Sequence, residues 1–146
     1  MGENQVDIPL PSREKIVALQ ESMKEIQCEQ PEPHHFFAPG MYARELTVPA
    51  GMLIVGKIHR HEHFLFVLNG RAEVISEFGR FTVEAGHISV SPAGVKRIVL
   101  AMEDTKFVTV HLNKDDSQDL EVIEREHIQP EDADMIAAEK EKEALE

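Results

Sequence analysis

GMLIVGKIHRHEHFLFVLNG, residues 51–70, is bounded by glycine at both ends and carries three histidines at alternate positions. Side chains two residues apart lie on one face of a strand, so His59, His61 and His63 are predicted to face the same way if the segment stays extended. Neutral imidazole is a common metal ligand, which makes the stretch a candidate metal site. The run that follows, residues 64–68, is apolar at every position and predicts a strand that is buried on both faces.

The quoted segment belongs to a longer region of short β-type segments, residues 41–113. The segments are separated by glycine-containing turns such as Asn69-Gly70 and Ala85-Gly86. Many short strands with such turns at this spacing indicate an all-β sandwich or barrel. The predicted strands are residues 41–48, 52–58, 63–68, 71–76, 81–83, 87–90, 97–102 and 106–112.

An amphipathic helix is predicted before the β region, at residues 12–30. Ser12 is a favourable N-cap, and prolines beyond the helix stop it from continuing. An irregular connection, residues 29–40, is predicted next, and His34 and His35 within it are expected to be structural or solvent-exposed. The apolar stripe of the helix consists of Ile16, Leu19, Met23 and Ile26.

A second, shorter helix is predicted after the β region, at residues 117–126, with Asp116 or Ser117 as its cap. Residues 132–146 are rich in alanine, glutamate and lysine and predict a charged helix or tail. The predicted organisation is therefore an N-terminal helix and connector (1–40), a β-barrel (41–113), and a C-terminal helix with an acidic tail (114–146).

The composition excludes some classes of function. The formal net charge of −12 over 146 residues argues against a broad nucleic-acid-binding surface, which requires a basic face. No apolar run approaches the roughly 20 residues that span a bilayer, and the N-terminus does not resemble a signal peptide. Cys28 is the only cysteine, so no intramolecular disulfide can form. We therefore expect a cytoplasmic protein.

Two glycine-anchored blocks resemble the paired motifs of the cupin family. The spacing of the first motif, Gly-x5-His-x-His-x3-Glu-x6-Gly, is matched by residues 51–70, where Lys57 replaces the first histidine and His63 replaces the glutamate. The spacing of the second, Gly-x5-Pro-x-Gly-x2-His-x3-Asn, is matched by residues 86–101, where Arg97 replaces the histidine. The resemblance implies a jelly-roll β-barrel whose lumen holds the site.

More narrowly, three blocks look like those of small cupins found in tailed phages and prophages: residues 56–63, 91–97 and 103–111. The resemblance covers residues 41–113, half of the chain. It implies a homodimer that associates through outer strands, located in the host cytoplasm if the protein is phage-encoded. It also implies a bend that turns His61 away from the lumen.

The exchanged ligands change the metal chemistry that the resemblance implies. Lysine and arginine at positions 57 and 97 add positive charge, and arginine offers no lone pair to a metal. Histidines remain available at other positions of the barrel. If the inward face of the last strand carries His111, then His59, His63 and His111 form a three-histidine site for Fe, Mn, Ni or Zn. The alternative is a histidine cluster that binds no metal.

The same exchanges also predict an anion-binding lumen. Lys57 and Arg97, with Lys96 as a further candidate, would line it together with imidazoles, which suits a phosphorylated or carboxylated small molecule. The alternative for Arg97 is a structural ion pair that closes the barrel mouth. The candidate partners for that pair are Glu103, Asp104 and Glu73.

Three functions follow from these residues. The first is a cupin that binds and sequesters or senses an anionic metabolite or nucleotide through Lys57, His59, His63, Arg97 and His111. The second is a metal-dependent enzyme, an oxygenase or isomerase, with Glu62 or Lys57 as the acid; a cofactor-free epimerase is also compatible. The third is a phage-associated structural oligomer. The replacement of metal ligands by cations favours binding over catalysis.

Overall fold

The computed structural model describes residues 9–24 and 30–129, and two antiparallel β-sheets form most of it. The first sheet has the strand order β1-β2-β9-β4-β7, and the second has the order β3-β8-β5-β6. Two helices flank the sheets. The elements are α1 (Arg13–Lys24), β1 (His34–Ala38), β2 (Met41–Val48), β3 (Leu53–Val55), β4 (His63–Asn69), β5 (Arg71–Ile75), β6 (Arg80–Glu84), β7 (Ile88–Ser91), β8 (Ile98–Ala101), β9 (Thr105–Leu112) and α2 (Leu120–His127).

The hydrophobic core lies between the sheets and is built from alternate residues of their strands. In β4, Leu65 and Val67 are buried, whereas Phe64 and Leu68 are about half exposed. The prediction that residues 64–68 are buried on both faces is therefore wrong, because no further layer of the described residues covers the outer face of this sheet. The buried core cluster consists of Val48, Leu65, Val67, Ala72, Val74, Val83, Ala101 and Phe107.

The first sheet begins earlier than predicted, because His34–Ala38 forms β1 instead of an irregular connection. This strand pairs with β2 in register from His34↔Glu45 to Ala38↔Met41. Pro39-Gly40 makes the turn between them, with Gly40 at φ +73°. Two nearby prolines and a pair of histidines obscured the strand in the sequence, but the Pro-Gly turn signals a hairpin.

Gly70 marks the tightest turn of the barrel. It has φ +88°, and a Cβ built on it would stand 2.3 Å from the Asp104 carbonyl oxygen and 2.6 Å from the Thr105 Cα. A side chain is thus excluded both by the backbone conformation and by space. Asp104 links this turn to a distant one, because its carboxylate accepts a hydrogen bond from the Ala50 amide at 2.8 Å.

Both predicted helices are present, and the predicted cap is correct for α1 but wrong for α2. Ser12 caps α1, since its hydroxyl accepts from the Lys15 amide at 3.3 Å. The cap of α2 is Asp119, whose carboxylate accepts from the Glu121 amide at 3.0 Å, and not Asp116 or Ser117. Asp116 has φ +50° and accepts instead from the Gly40 amide. Both α1 and α2 are too short and polar to cross a membrane, and no other helix occurs among the described residues.

Some predictions concern residues outside the described ranges. These are the last part of the first helix (25–29), Cys28, and the charged C-terminal segment (132–146). The buried start of α1, Ile16 and Val17, is described and packs in the interior.

Candidate metal centre

Three histidines meet inside the barrel. His63 opens β4 and His111 lies in β9; because Phe64 pairs with Val110 and faces outward, the two histidines face inward side by side. His59 reaches the same point from the segment after β3. The ring centroids lie 4.2 Å apart for His59–His63, 4.5 Å for His63–His111 and 5.3 Å for His59–His111.

Burial keeps these imidazoles neutral. Desolvation, followed by the neighbouring His63 and Arg44, lowers the pKa of His59 to about 3. Desolvation, then His63 and His59, lowers the pKa of His111 to about 3. The pKa of His63 is also lowered, chiefly by burial. At neutral pH, all three therefore retain a lone pair.

This donor set fits a transition metal. One nitrogen from each of His59, His63 and His111 lies within 4.8 Å of the others. Bonds of about 2.1 Å to a tetrahedral ion require nitrogens roughly 3.4 Å apart, a contraction that small side-chain rotations achieve. The rings are oriented by the protein, since His63 Nδ1 lies 3.2 Å from the His61 carbonyl and His111 Nε2 lies 2.8 Å from Thr109 Oγ1.

His59 and His111 open onto a cavity of about 450 Å³, whereas His63 lines a smaller one. The walls of the larger cavity combine apolar residues of the barrel and of α2 with a similar number of polar residues. The smaller cavity, of about 140 Å³, adjoins it, and His59 and Arg44 line both. The polar residues of the larger cavity include His35, Tyr42, Arg44, Lys57, His111 and His127.

Arg97 lines the smaller cavity and does not form the ion pair considered for it. Its guanidinium donates to Ser91 Oγ at 2.8 Å and lies 5.5 Å from the centroid of the Phe81 ring. Burial lowers the pKa of Arg97. Its three candidate partners are engaged elsewhere: Glu103 with Arg71, Glu73 with Arg80, and Asp104 with the Ala50 amide.

The two lysines occupy different environments. Lys57 is exposed at the mouth of the barrel and forms an ion pair with Glu124 of α2. Lys96 is only 1% exposed, and its ammonium donates to the Gly56 carbonyl at 3.1 Å beneath the segment that carries Lys57. Lys96 lines neither of the two cavities, whereas Lys57 and Arg97 both line the smaller one together with His59 and His63.

Several site residues were missed in the sequence. Arg44 and Tyr42 share the inward face of β2 with Leu46, an alternation that could have identified them. Tyr42 stacks on His111 at 5.7 Å between centroids, and its hydroxyl lies 2.6 Å from His35 Nδ1. His35 is therefore part of the cavity wall, where it is partly exposed and makes a structural contact with Tyr42. His61, in contrast, is exposed.

His127 was also missed, and no local pattern identifies it. It is the last residue of α2, just beyond the predicted helix, and its ring lies 5.6 Å from that of His111. Its side chain is buried, and Nε2 has no hydrogen-bond partner among the described residues.

The architecture resembles that of several solved structures. Protein NMB1881 from Neisseria meningitidis is 18% identical, with 65% of this chain and 95% of that chain covered and a TM-score of 0.51. Ectoine synthase from P. lautus is 14% identical, with 58% and 65% covered and a TM-score of 0.51. A protein from Klebsiella pneumoniae with a double-stranded β-helix domain is 18% identical, with 65% and 89% covered and a TM-score of 0.50.

Neither a protein-family model nor a curated protein matches the sequence. Identities this low establish a shared fold and nothing about activity. The two antiparallel sheets, their inward-facing histidines and these structural neighbours together show that the chain has the cupin-type jelly-roll fold, the double-stranded β-helix.

Proposed function

We propose that the barrel binds an anionic small molecule, phosphorylated or carboxylated, beside a divalent transition metal held by His59, His63 and His111. The observation that carries the proposal is the cluster of three neutral, largely buried imidazoles, two of which, His59 and His63, line a cavity that also contains arginine. The metal would polarise an oxygen of the small molecule when bound. The other contacts to the small molecule would come from the side chains that line the cavity.

Two arginines support an anionic guest. Among the described residues, neither Arg44 nor Arg97 is paired with a carboxylate. Arg44 stands near His59 and His111, whose pKa values it lowers, and Arg97 similarly affects His63. Anionic oxygens placed between the two guanidiniums would accept charge-assisted hydrogen bonds and compensate the partly buried charge of Arg97.

The size and walls of the cavity set the class of molecule. A volume of about 450 Å³ lies in the range of small-molecule sites, roughly 300–1,000 Å³. Leu46, Ile54 and Ile123 give it an apolar side. Lys57 at the mouth becomes a further contact if the guest displaces Glu124. A metabolite or nucleotide with an apolar or ring portion and one anionic end matches this arrangement.

A metal-dependent enzyme is the second candidate, and the Tyr42–His35 pair favours it. The hydroxyl and the imidazole are 2.6 Å apart at the cavity wall, beside His111, where they can donate or accept a proton from a bound substrate. The acids predicted from the sequence are less suitable, because Glu62 is exposed and Lys57 is ion-paired.

The proposal also includes a homodimer, formed by the outer face of the first sheet. One register row crosses all five strands with apolar residues only: Phe36, Ala43, Val110, Phe64 and Val90. The exposed large side chains of this face are Phe36, Met41, Phe64, Leu68, Ile88, Val90 and Leu112.

A second copy of the chain is the occupant that suits this face. Each of these side chains is about half exposed. Their combined exposed area exceeds the roughly 300–600 Å² of the largest apolar patch on a typical monomer. It approaches the roughly 800 Å² per partner of a standard interface. Glu45, on the same face, lies 3.7 Å from Lys106 and 3.6 Å from His34, so the face has little charge to attract a charged partner.

The experiment is native mass spectrometry with metal analysis on the purified full-length protein and on His63→Gln. The matched control is His87→Gln, because His87 hydrogen-bonds Ser89 outside both cavities. We expect about one ion per chain, lost in His63→Gln and kept in the control. Inorganic phosphate should then raise the melting temperature of the metal-loaded protein. A protein that binds neither ion nor phosphate would overturn the proposal.

A further inference from the structure

The buried imidazole of His127 is not explained by the packing around it. The side chain is 9% exposed, and Nε2 has no hydrogen-bond partner among residues 9–24 and 30–129. It lines the larger cavity together with His59 and His111. A buried polar nitrogen is normally satisfied, and a group bound in the cavity would supply the missing partner.

The backbone on either side of His127 is fixed to the segment that carries His59. The His127 carbonyl accepts from the Arg60 amide at 2.7 Å, and the Gln129 amide donates to the Ile58 carbonyl at 2.9 Å. Between them, Ile128 forms an antiparallel bridge with His59. The end of α2 is thus held against the histidine cluster, and rotation about the side-chain bonds is the motion left to His127.

The distances place His127 near the cluster. Its ring centroid lies 5.6 Å from that of His111, comparable with the 5.3 Å between His59 and His111. His61 lies on the other side, 6.0 Å away in an edge-on contact. His127 does not belong to the group whose nitrogens lie within 4.8 Å of one another, so its side chain must turn to reach the same point.

We propose that His127 is a fourth nitrogen donor to the ion of this centre, supplied by the C-terminal helix and not by the barrel. The inference rests on the proposed metal site. It satisfies the unpartnered Nε2 and adds a link through the ion to the backbone contacts that already hold α2 against the barrel. An ion that takes six donors keeps two positions for the oxygens of a bound anion.

The test is a Co²⁺ titration of the full-length protein, His127→Gln and His63→Gln, read by visible d–d absorption. His61→Gln is the matched control, since His61 is the exposed neighbour of His127. We expect His127→Gln to lower the Co²⁺ affinity by at least about tenfold and to change the absorption spectrum, whereas His61→Gln changes neither. Circular dichroism establishes that each variant is folded.

Amide hydrogen exchange gives a second measurement that does not depend on a substitution. Co²⁺ should slow exchange in α2 of the wild-type protein, because the ion would tie that helix to the barrel. The metal site stands if wild-type protein binds Co²⁺ and His63→Gln does not. The role of His127 is refuted if, in addition, His127→Gln binds Co²⁺ as wild type does and hydrogen exchange in α2 is unchanged. If wild-type protein binds no Co²⁺, both proposals fail.

Discussion

The rings of His63 and His111 stack with centroids 4.5 Å apart, which links the first residue of β4 to the adjacent strand β9. With His59 they form a cluster of basic groups in which burial and mutual proximity both oppose protonation. The folded protein therefore keeps these imidazoles neutral, and this lowers its free energy of unfolding in acid.

This arrangement predicts a pH-dependent stability of the metal-free protein. The unfolded chain binds protons at His59 and His111 below about pH 6.5, whereas the folded protein does not bind them until about pH 3. The unfolded state thus holds more protons at these two groups between these values, so their contribution to the free energy of unfolding falls as the pH is lowered through that window and does not change above it. Each group contributes up to about 1.4 kcal/mol per pH unit.

Urea unfolding at pH 7.5 and pH 5 measures this effect. His111→Gln should weaken the pH dependence, and His87→Gln should leave it as in wild type. An equal dependence in both variants would show that other groups cause it.

The Gly70 turn predicts a large effect of one methyl group. Gly70→Ala places a Cβ against the Asp104 carbonyl and Thr105 and imposes a strained φ of +88°, so we expect a loss of at least about 2 kcal/mol. Gly79→Ala is the control, because no atom lies within 4 Å of its Cβ position and it has no left-handed φ; its effect should stay within about 1 kcal/mol. Chemical denaturation of both variants makes the comparison, and equal stabilities would contradict the clash.

The two cations of the cupin-like motifs should contribute unequally to anion binding. Arg97 is partly buried and has no carboxylate partner among the described residues, whereas Lys57 is exposed and paired with Glu124. Phosphate should therefore raise the melting temperature of wild-type protein and of Lys57→Met, but much less that of Arg97→Met. Lys114→Met, at an exposed position, is the control for net charge. A larger loss in Lys57→Met would reverse the assignment.

The apolar sheet face predicts the effect of a charge on oligomerisation. Phe64 lies within that face, on the strand next to the central one, so Phe64→Glu should convert a homodimer into a monomer, as measured by light scattering after size exclusion. Phe78→Glu is the control: Phe78 is 71% exposed but lies in the turn between β5 and β6. A wild-type protein that is monomeric throughout the concentration range would exclude the dimer.

The barrel could be predicted from the sequence because its turns are local. The turn glycines of the two cupin-like blocks are visible in the sequence, and all four adopt the left-handed conformation that favours glycine. Gly51, Gly70, Gly86 and Gly94 have φ between +81° and +95°. The inward positions of His63 and His111 could be predicted as well, since alternation along β4 and β9 determines which face each one occupies. The position of His59 does not follow from alternation, because His59 and the exposed His61 lie between β3 and β4 and outside both strands.

What could not be predicted depends on contacts between distant segments. His127 enters the site through a bridge between Ile128 and His59, and nothing around residue 127 announces that pairing. The ion pair of Lys57 with Glu124 likewise required the position of α2. Arg44, in contrast, could have been predicted, because alternate residues of β2 face inward and Arg44 is one of them. The resemblance to phage cupins and the cytoplasmic location stay predictions.

The stacking of Tyr42 on His111 also supplies an intrinsic optical probe. The chain has a single tyrosine and no tryptophan, so its ultraviolet emission arises from one phenol ring against the histidine cluster. A paramagnetic ion or an aromatic guest in the lumen would quench that emission without a background from elsewhere. Occupancy of the lumen can thus be followed in unlabelled protein, which makes the barrel suitable for screening candidate ligands by fluorescence.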